Sequence, residues 1–434
     1  MTRIQPPVIR AFQPTAMRRI LVFALLSLFT LHLAAQSKSP VPASSKKKKV
    51  VFIIADGIPA DLLAKVKTPN LDAISRGSGY TRATVGGEKD GYSQSPTISA
   101  VGYNSLLTGV WANKHNVWDN DIKAPNYYYP SIFRLLKQVD TSKKIAVFST
   151  WLDNRTKLVG EDLPATRNLK VDYHGDGFEL DTVAFPHDKQ SQYTHRIDDT
   201  VTSLADQCIR EQGPDLTWLY LEYTDDMGHR YGDGPEMKQA IGYVDDQLGR
   251  IWSAIQYREK KFQEDWLVIV TTDHGRDSIN GKGHGGQSER ERTTWIATNA
   301  KDLNHYHRDF TPAIVDIFPT IARFMGLAIP REEAMELDGI SMIGKLSLAH
   351  PVILYDKGRL DLRWKAFEKD GNLKISIATT NNFKTGGKEE YKVLAEVPVA
   401  QQSAVFSIGS TPSGFYKIVL EGPYNTVNQW ILVK

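Results

Sequence analysis

The sequence predicts an α/β protein: a three-layer α/β/α domain followed by a small C-terminal β-sandwich. Three observations lead there. Across residues 50–345 short β-rich runs alternate with amphipathic helical patterns, as a parallel sheet covered by helices requires. Across residues 350–434 the helical patterns stop, and alternating apolar–polar runs separated by turn signals take over. The composition, 41% hydrophobic and 24% charged, is that of a globular chain, and 434 residues exceed one ordinary domain.

Residues 1–35 read as an address rather than as part of the fold. Arg18 and Arg19 form a basic stub, residues 21–33 an apolar stretch, and Ala34-Ala35-Gln36 a small-residue exit, the three parts of a signal peptide. The apolar stretch is shorter than the roughly 20 residues a spanning helix needs, so no membrane span is expected in the mature chain. The protein is expected to be exported, to a periplasmic or extracellular location. Its single cysteine excludes a disulfide framework and a cysteine metal cluster. Residues 36–49, with Pro40, Pro42 and four consecutive lysines, read as a flexible lead-in. The net charge of +3 comes from Arg3, Arg10, Arg18 and Arg19, since the rest holds 49 basic residues against 50 acidic ones. That balance gives no support to specific nucleic-acid binding.

Four runs stand out as strands: Val50-Val-Phe-Ile-Ile-Ala, Ile145-Ala-Val-Phe, Trp218-Leu-Tyr-Leu and Trp266-Leu-Val-Ile-Val. Between them, Ile197, Val201, Leu204, Ala205, Cys208 and Ile209 mark one amphipathic helix, with the thiol on its buried stripe. Met237, Ile241, Val244, Leu248, Ile251 and Ile255 mark a second.

The residues at the strand ends are more telling. The first run ends in Asp56-Gly57, the third in Glu222 and Asp225, the fourth in Asp273-His274-Gly275. Ligands of open α/β sheets bind at the carboxyl ends of strands, so these groups should converge in one crevice. A single Asp-Gly is ordinarily a cap or a turn. Three strand ends bearing metal-type ligands are not explained that way. Asp225 and His229 stand four residues apart, on one face of a helix. His284 lies in Gly283-His284-Gly285-Gly286, where glycines let the backbone approach a ligand closely. Aspartate and histidine ligands suit zinc, and two zinc ions about 4 Å apart can clamp the attacking and leaving oxygens of a displacement at phosphorus.

The segment Ser95-Pro-Thr-Ile-Ser99-Ala-Val-Gly-Tyr-Asn-Ser-Leu-Leu-Thr108-Gly109 holds the nucleophile candidate. Its spacing resembles the alkaline phosphatase superfamily, above all the nucleotide pyrophosphatase/phosphodiesterase branch. There a Thr or Ser precedes the Gly of a Leu-x-Thr-Gly tail by ten residues, and an Asn follows that Gly by eleven; Ser99, Gly109 and Asn120 meet both spacings. The resemblance spans residues 50–345 and implies an alkaline-phosphatase-like catalytic domain. It implies that Asp225, His229 and His284 bind one zinc ion and Asp56, Asp273 and His274 a second, with the Ser99 oxygen as their shared target. It also implies that Asn120 and the backbone N–H of Ala100 hold a non-bridging phosphoryl oxygen. A serine hydroxyl is a weak nucleophile at neutral pH, and a bound metal can activate it without a histidine base. His115, His174, His187, His195, His305 and His307 read as surface or capping residues and are assigned to no metal.

The resemblance also bears on the ester. Related sulfatases carry Cys or Ser-x-Pro-x-Arg at the nucleophile, and Ser99-Ala-Val-Gly-Tyr103 has neither the Pro nor the Arg. Monoesterase relatives place a Lys-x-Arg pair where this chain has Ser149-Thr-Trp-Leu-Asp-Asn-Arg155. Trp151 offers an apolar wall, Asp153 repels a dianion, and Arg155 is the one cation in reach of the substrate. Val101-Gly102 replaces the family's common Pro-Asn and is expected to change the substrate wall. The reading is a zinc-dependent hydrolase of phosphate diesters or nucleotide pyrophosphates, acting through a phosphoseryl intermediate on a small phosphate-ester or nucleotide substrate. The alternatives are a phosphomonoesterase and a non-catalytic envelope-binding protein with a vestigial metal site.

The last 85 residues, 350–434, carry none of these groups. Runs at residues 373–377, 391–394, 404–408, 416–420 and 429–433, separated by Asp370-Gly371, Asn381-Asn382, Gly386-Gly387 and Gly422-Pro423, read as a sandwich of immunoglobulin or fibronectin III style. Packing on the catalytic domain and contact with an envelope component or glycan are both open roles for it.

Overall fold

The computed structural model describes residues 46–409 and 411–433. The segment read as a signal peptide, and most of the lead-in after it, lie outside the described residues. Among the described residues no helix is long and apolar enough to cross a membrane.

Seven strands, β1 (Lys48–Ala55), β2 (Tyr80–Thr84), β3 (Ile145–Ser149), β4 (Tyr173–Gly175), β5 (Leu216–Leu221), β6 (Asp265–Thr271) and β7 (Thr293–Thr298), form one sheet in the order β2-β7-β6-β1-β5-β3-β4. The four runs expected as strands are its contiguous centre, β6-β1-β5-β3, all parallel. Their residues are covered on both faces, which is why they read as unbroken apolar runs. The expected three-layer α/β/α arrangement is what the fold shows, with one strand of the sheet reversed. β7 runs antiparallel to both β6 and β2, so the sheet is mixed at one edge. β2, β4 and β7 escaped the sequence reading because they are short or threonine-rich.

Helices cover both faces. On one side the helices Ser99–Thr108, Ile132–Val139 and Ile317–Met325 pack on Val50, Phe52 and Trp218. The Phe52 and Trp218 rings stack there at 5.9 Å. On the other side the long helices Gln192–Glu211 and Pro235–Phe262 bury Ile197, Val201, Ile209, Ile241, Leu248 and Ile255 against Val51, Ile53 and Leu219. Cys208 is buried in this layer, and burial pushes its thiol up to about 12, an inert state.

The C-terminal layer has two antiparallel sheets. β8 (Leu348–Asp356), β9 (Arg359–Ala366) and β12 (Ser403–Ser407) form one, in the order β12-β9-β8. β10 (Asn372–Ala378), β11 (Lys392–Pro398), β13 (Phe415–Glu421) and β14 (Thr426–Leu432) form the other, in the order β11-β10-β13-β14. Leu360, Leu362, Trp364, Ile375, Tyr416 and Ile418 share its core. The five expected runs are β10 to β14. The hairpin β8–β9, turning at Lys357-Gly358, was not singled out in the sequence, although it supplies two of the seven strands.

Candidate active site

The site grows out of three neighbouring strand ends. β6, β1 and β5 lie side by side, so the residues that follow them emerge together. Asp56 leaves β1 with its N–H on Leu221 O at 3.0 Å, and Thr224 Oγ1 donates back to Asp56 O at 2.6 Å. The chain then turns at Gly57, with φ +63°, where a β-carbon would stand 2.6 Å from Asp225 Oδ1. Glycine is required there both by conformation and by space. After β5 the helix Tyr223–Tyr231 brings Asp225 and His229 to one face, with His229 Nε2 3.2 Å from Asp225 Oδ2.

Two sets of ligand atoms converge. His274 Nε2 lies 3.3 Å from Asp56 Oδ1 and 3.4 Å from Asp273 Oδ2. His284 Nε2 lies 3.1 Å from His229 Nε2 and 3.9 Å from Asp225 Oδ1. The two sets touch, because His274 stacks on His284 at 3.7 Å and its Nε2 is 3.9 Å from Asp225 Oδ1. Among the described residues two three-ligand groupings form, Asp56–Asp273–His274 and Asp225–His274–His284, with the half-exposed His229 paired to Asp225 of the second.

Both histidine rings present Nε2 because Nδ1 is engaged elsewhere: Nδ1 of His274 bonds Gly275 O at 2.9 Å, and Nδ1 of His284 bonds Thr97 O at 2.9 Å. Two buried tyrosines act alike on Asp56. Tyr220 Oη donates to Asp56 Oδ2 at 2.7 Å, and Tyr103 Oη donates to the same oxygen. The other oxygen, Asp56 Oδ1, has no hydrogen-bond partner among the described residues, and neither has Asp273 Oδ2. Orphaned buried carboxylate oxygens are costly, on the order of 1–3 kcal/mol each or more, and a divalent cation satisfies both. Burial opposes charge on His274, yet Asp273, Asp56 and Asp225 raise its pKa to about 9. Burial, then the charge on His274, lowers that of His284 to about 4. The convergence of three carboxylates and these imidazoles, with two carboxylate oxygens left without partners, is a donor set that fits a metal pair.

Ser99 is the first residue of its helix and is buried, with Oγ 3.4 Å from His274 Nε2. The Ala100 N–H donates to Asn120 Oδ1 at 3.0 Å, so these two are adjacent and bonded to each other. Val101 and Gly102, expected to change the substrate wall, lie in the helix that Ser99 opens. Both are buried, and a β-carbon on Gly102 would stand 2.8 Å from Asp273 O, so glycine here lets the Ser99 helix close on the Asp273 turn. Trp151 packs edge-on against Tyr103 at 6.4 Å. Arg155, expected to reach the substrate, is taken up instead. Its Nε and Nη2 donate to Asp176 at 2.6 and 2.9 Å, and its Nη1 donates to Glu161. Asp153 pairs with Lys157 at 2.7 Å.

Three site residues were missed by sequence reasoning: Tyr103, Tyr220 and the fully buried Arg276, which donates to Asp225. Tyr103 carried a signal, one helical turn after Ser99. Arg276 carried none beyond its place after Asp273-His274-Gly275. Among the other histidines, His115 corrects the surface reading. It is fully buried, with Nε2 3.0 Å from Ser105 Oγ and Nδ1 accepting from the Val117 N–H, and burial lowers its pKa to about 3. His307 is buried as well.

A mixed sheet flanked by helices, with acid and histidine sets at its central strand ends beside a serine at a helix start, defines a hydrolase of the alkaline phosphatase superfamily, a class that acts on phosphate esters. The chain belongs to the type I phosphodiesterase/nucleotide pyrophosphatase family, which matches residues 50–366. The human ectonucleotide pyrophosphatase/phosphodiesterase family member 7 is 24% identical over 345 residues, covering 77% of this chain and 67% of that protein. The human member 5 is 22% identical over 320 residues, covering 73% of this chain and 58% of that protein. A solved structure of human member 5 covers 65% of this chain and 96% of that chain, at 15% identity and a TM-score of 0.45.

Proposed function

We propose that the protein is an exported, zinc-dependent hydrolase of phosphate diesters or nucleotide pyrophosphates that acts through Ser99. The observation that carries the reading is the placement of Ser99 Oγ, 3.4 Å from His274 Nε2, an atom shared by both three-ligand groupings among the described residues. Asp225, His229 and His284 would hold one ion, and Asp56, Asp273 and His274 the other. Zinc suits an all-aspartate-and-histidine donor set. The ions would supply Lewis acidity at the attacking and leaving oxygens.

The chain's own residues do the rest. The helix start directs Ser99 Oγ at phosphorus, and its partial positive charge favours the anionic group there. The Ala100 N–H exchanges Asn120 Oδ1 for a non-bridging oxygen, and the Asn120 amide turns its N–H to the same oxygen, giving two donors where charge grows. Serine oxygen bonds to phosphorus as the alcohol or nucleotide departs. Water then cleaves the phosphoseryl ester and regenerates Ser99. The catalytic domain is taken as residues 50–345 and the sandwich as 350–434, with envelope or glycan contact left to the sandwich.

The charge at the site favours diesters. A monoester dianion asks for cationic contacts, yet Arg155 is neutralised by Asp176 and Glu161. One missing charged contact is worth about 1.5–3 kcal/mol, so kcat/KM for bis-p-nitrophenyl phosphate is expected to exceed that for p-nitrophenyl phosphate at least tenfold. Assays of both, with p-nitrophenyl sulfate alongside, test this on zinc-loaded protein. An equal or greater value for the monoester moves the protein to the monoesterase reading; no turnover and no bound zinc moves it to the binding-protein reading.

His229→Ala and His284→Ala are each expected to weaken the zinc held with Asp225 by tenfold or more, because a three-ligand site losing one ligand is poorly held. Metal analysis at limiting zinc checks this, and a full complement in both variants would break the ligand assignment.

A further inference from the structure

Arg276 is fully buried, and its hydrogen bonds reach every segment that carries a metal-type ligand. It belongs to the turn of Asp273 and His274. Its Nε donates to Gly57 O at 3.0 Å, next to Asp56. Its Nη1 donates to Lys282 O at 3.2 Å, two residues before His284. Its Nη2 donates to Asp225 O at 2.8 Å and also to Asp225 Oδ1. The fold makes room for this fork at a specific point: a β-carbon on Gly228 would stand 2.1 Å from Arg276 Cζ. A lysine has one donor centre and cannot hold four partners along three directions.

We propose that Arg276 is a positioning residue that sets the ligand geometry before any metal arrives. It fixes Asp225 Oδ1, leaving Oδ2 toward His229 at 3.2 Å, and ties the Asp56, Asp225 and His284 segments to its own. Four segments carrying three carboxylates repel one another, and the guanidinium holds them at close range. Its positive charge by itself weakens cation binding, while its constraint on the ligands strengthens it. Partners that orient metal ligands are typically worth about 10–100-fold in metal affinity, so the constraint is expected to win. Because its three nitrogens are spent on protein oxygens, Arg276 does not contact substrate. The inference rests on the two-zinc reading of the proposed function.

The test uses the full chain stripped of metal and titrated with zinc against a chromophoric chelator, for wild type, Arg276→Met, Arg276→Lys and Gly228→Ala. Circular dichroism identifies variants that keep the fold. The expected result is at least tenfold weaker binding of one zinc ion in all three, the other ion being less affected, with an altered visible spectrum of the cobalt-substituted form. At saturating zinc, kcat for bis-p-nitrophenyl phosphate should fall while KM holds. Gly228→Ala leaves Arg276 in the chain and displaces its fork, so it keeps the test open if Arg276→Met fails to fold. Wild-type affinity in Arg276→Lys, tighter zinc binding in Arg276→Met, or a rise in KM at constant kcat would each overturn the proposal. A wild-type chain that takes up no zinc would instead remove the functional reading on which it rests.

Discussion

Ser99→Ala is expected to lower bis-p-nitrophenyl phosphate turnover by at least about a thousandfold, equivalent to about 4 kcal/mol of barrier, while zinc stays bound. The size comes from the site's economy. Among the described residues Ser99 Oγ bonds only His274, at 3.4 Å, and no second hydroxyl occupies the start of the helix. Removing the oxygen removes the covalent route outright, leaving direct attack by water. Metal should be retained because, in the proposed assignment, six other side chains would supply the ligands. The fold should be undisturbed, since alanine is a better helix former than serine and the only hydrogen bond lost is the long one to His274. Steady-state kinetics with metal analysis on the same preparation separates the outcomes. Turnover within tenfold of wild type would remove Ser99 as the nucleophile, whereas loss of zinc would make it a ligand first.

How far the sequence carried the fold depended on burial. β1, β3, β5 and β6 are covered on both faces, so each is a short, continuous apolar run rich in β-branched and aromatic residues, which marks it as a buried strand. Once those four were placed, topology required the residues after β1, β5 and β6 to meet, and Asp56, Asp225 and Asp273 do meet. Edge elements obey weaker constraints. β2 is five residues with an exposed tyrosine, and β4 is three residues long. The supporting contacts were less legible still, because they are made between distant segments. Nothing local says that Asp176, 21 residues away, occupies Arg155, or that Arg276 turns inward rather than toward substrate. Gly102 was only partly legible for the same reason: the sequence marks it as a departure from the family pattern, while only the fold shows that its neighbour across space is Asp273. Local chemistry named the candidate ligands, and long-range packing decides what holds them.

The second large effect is expected far from Ser99, where Lys417→Met should cost about 3–5 kcal/mol of stability. Lys417 is carried on β13 and is fully buried. Its ammonium lies 2.5 Å from Glu336 Oε1 and 2.8 Å from Glu389 Oε1. Lys114, from the short helix Ala112–His115 that follows the Ser99 helix, is equally buried and donates to Glu336 O at 2.7 Å, Asp338 Oδ1 at 2.6 Å and Asn428 Oδ1 at 3.0 Å. The Trp430 ring of β14 lies near both ammonium groups, at 5.0 and 5.1 Å, and stacks on Tyr92 at 5.7 Å. Charges from the sandwich and from the catalytic layer are thus buried in one network, which favours structural packing as the sandwich's main role over that of a freely hinged module. Methionine matches the length of lysine without its charge, so Lys417→Met leaves Glu336 and Glu389 as buried carboxylates with no cation from β13, a worse state than losing the whole network. Urea denaturation should show a lower midpoint, and intact protein at low temperature should turn over bis-p-nitrophenyl phosphate as the wild type does, since neither Ser99 nor any of the proposed metal ligands is touched. A stability loss under about 1 kcal/mol, the range of an exposed pair, would mean that the network is solvated and that the sandwich is free to act apart from the catalytic layer.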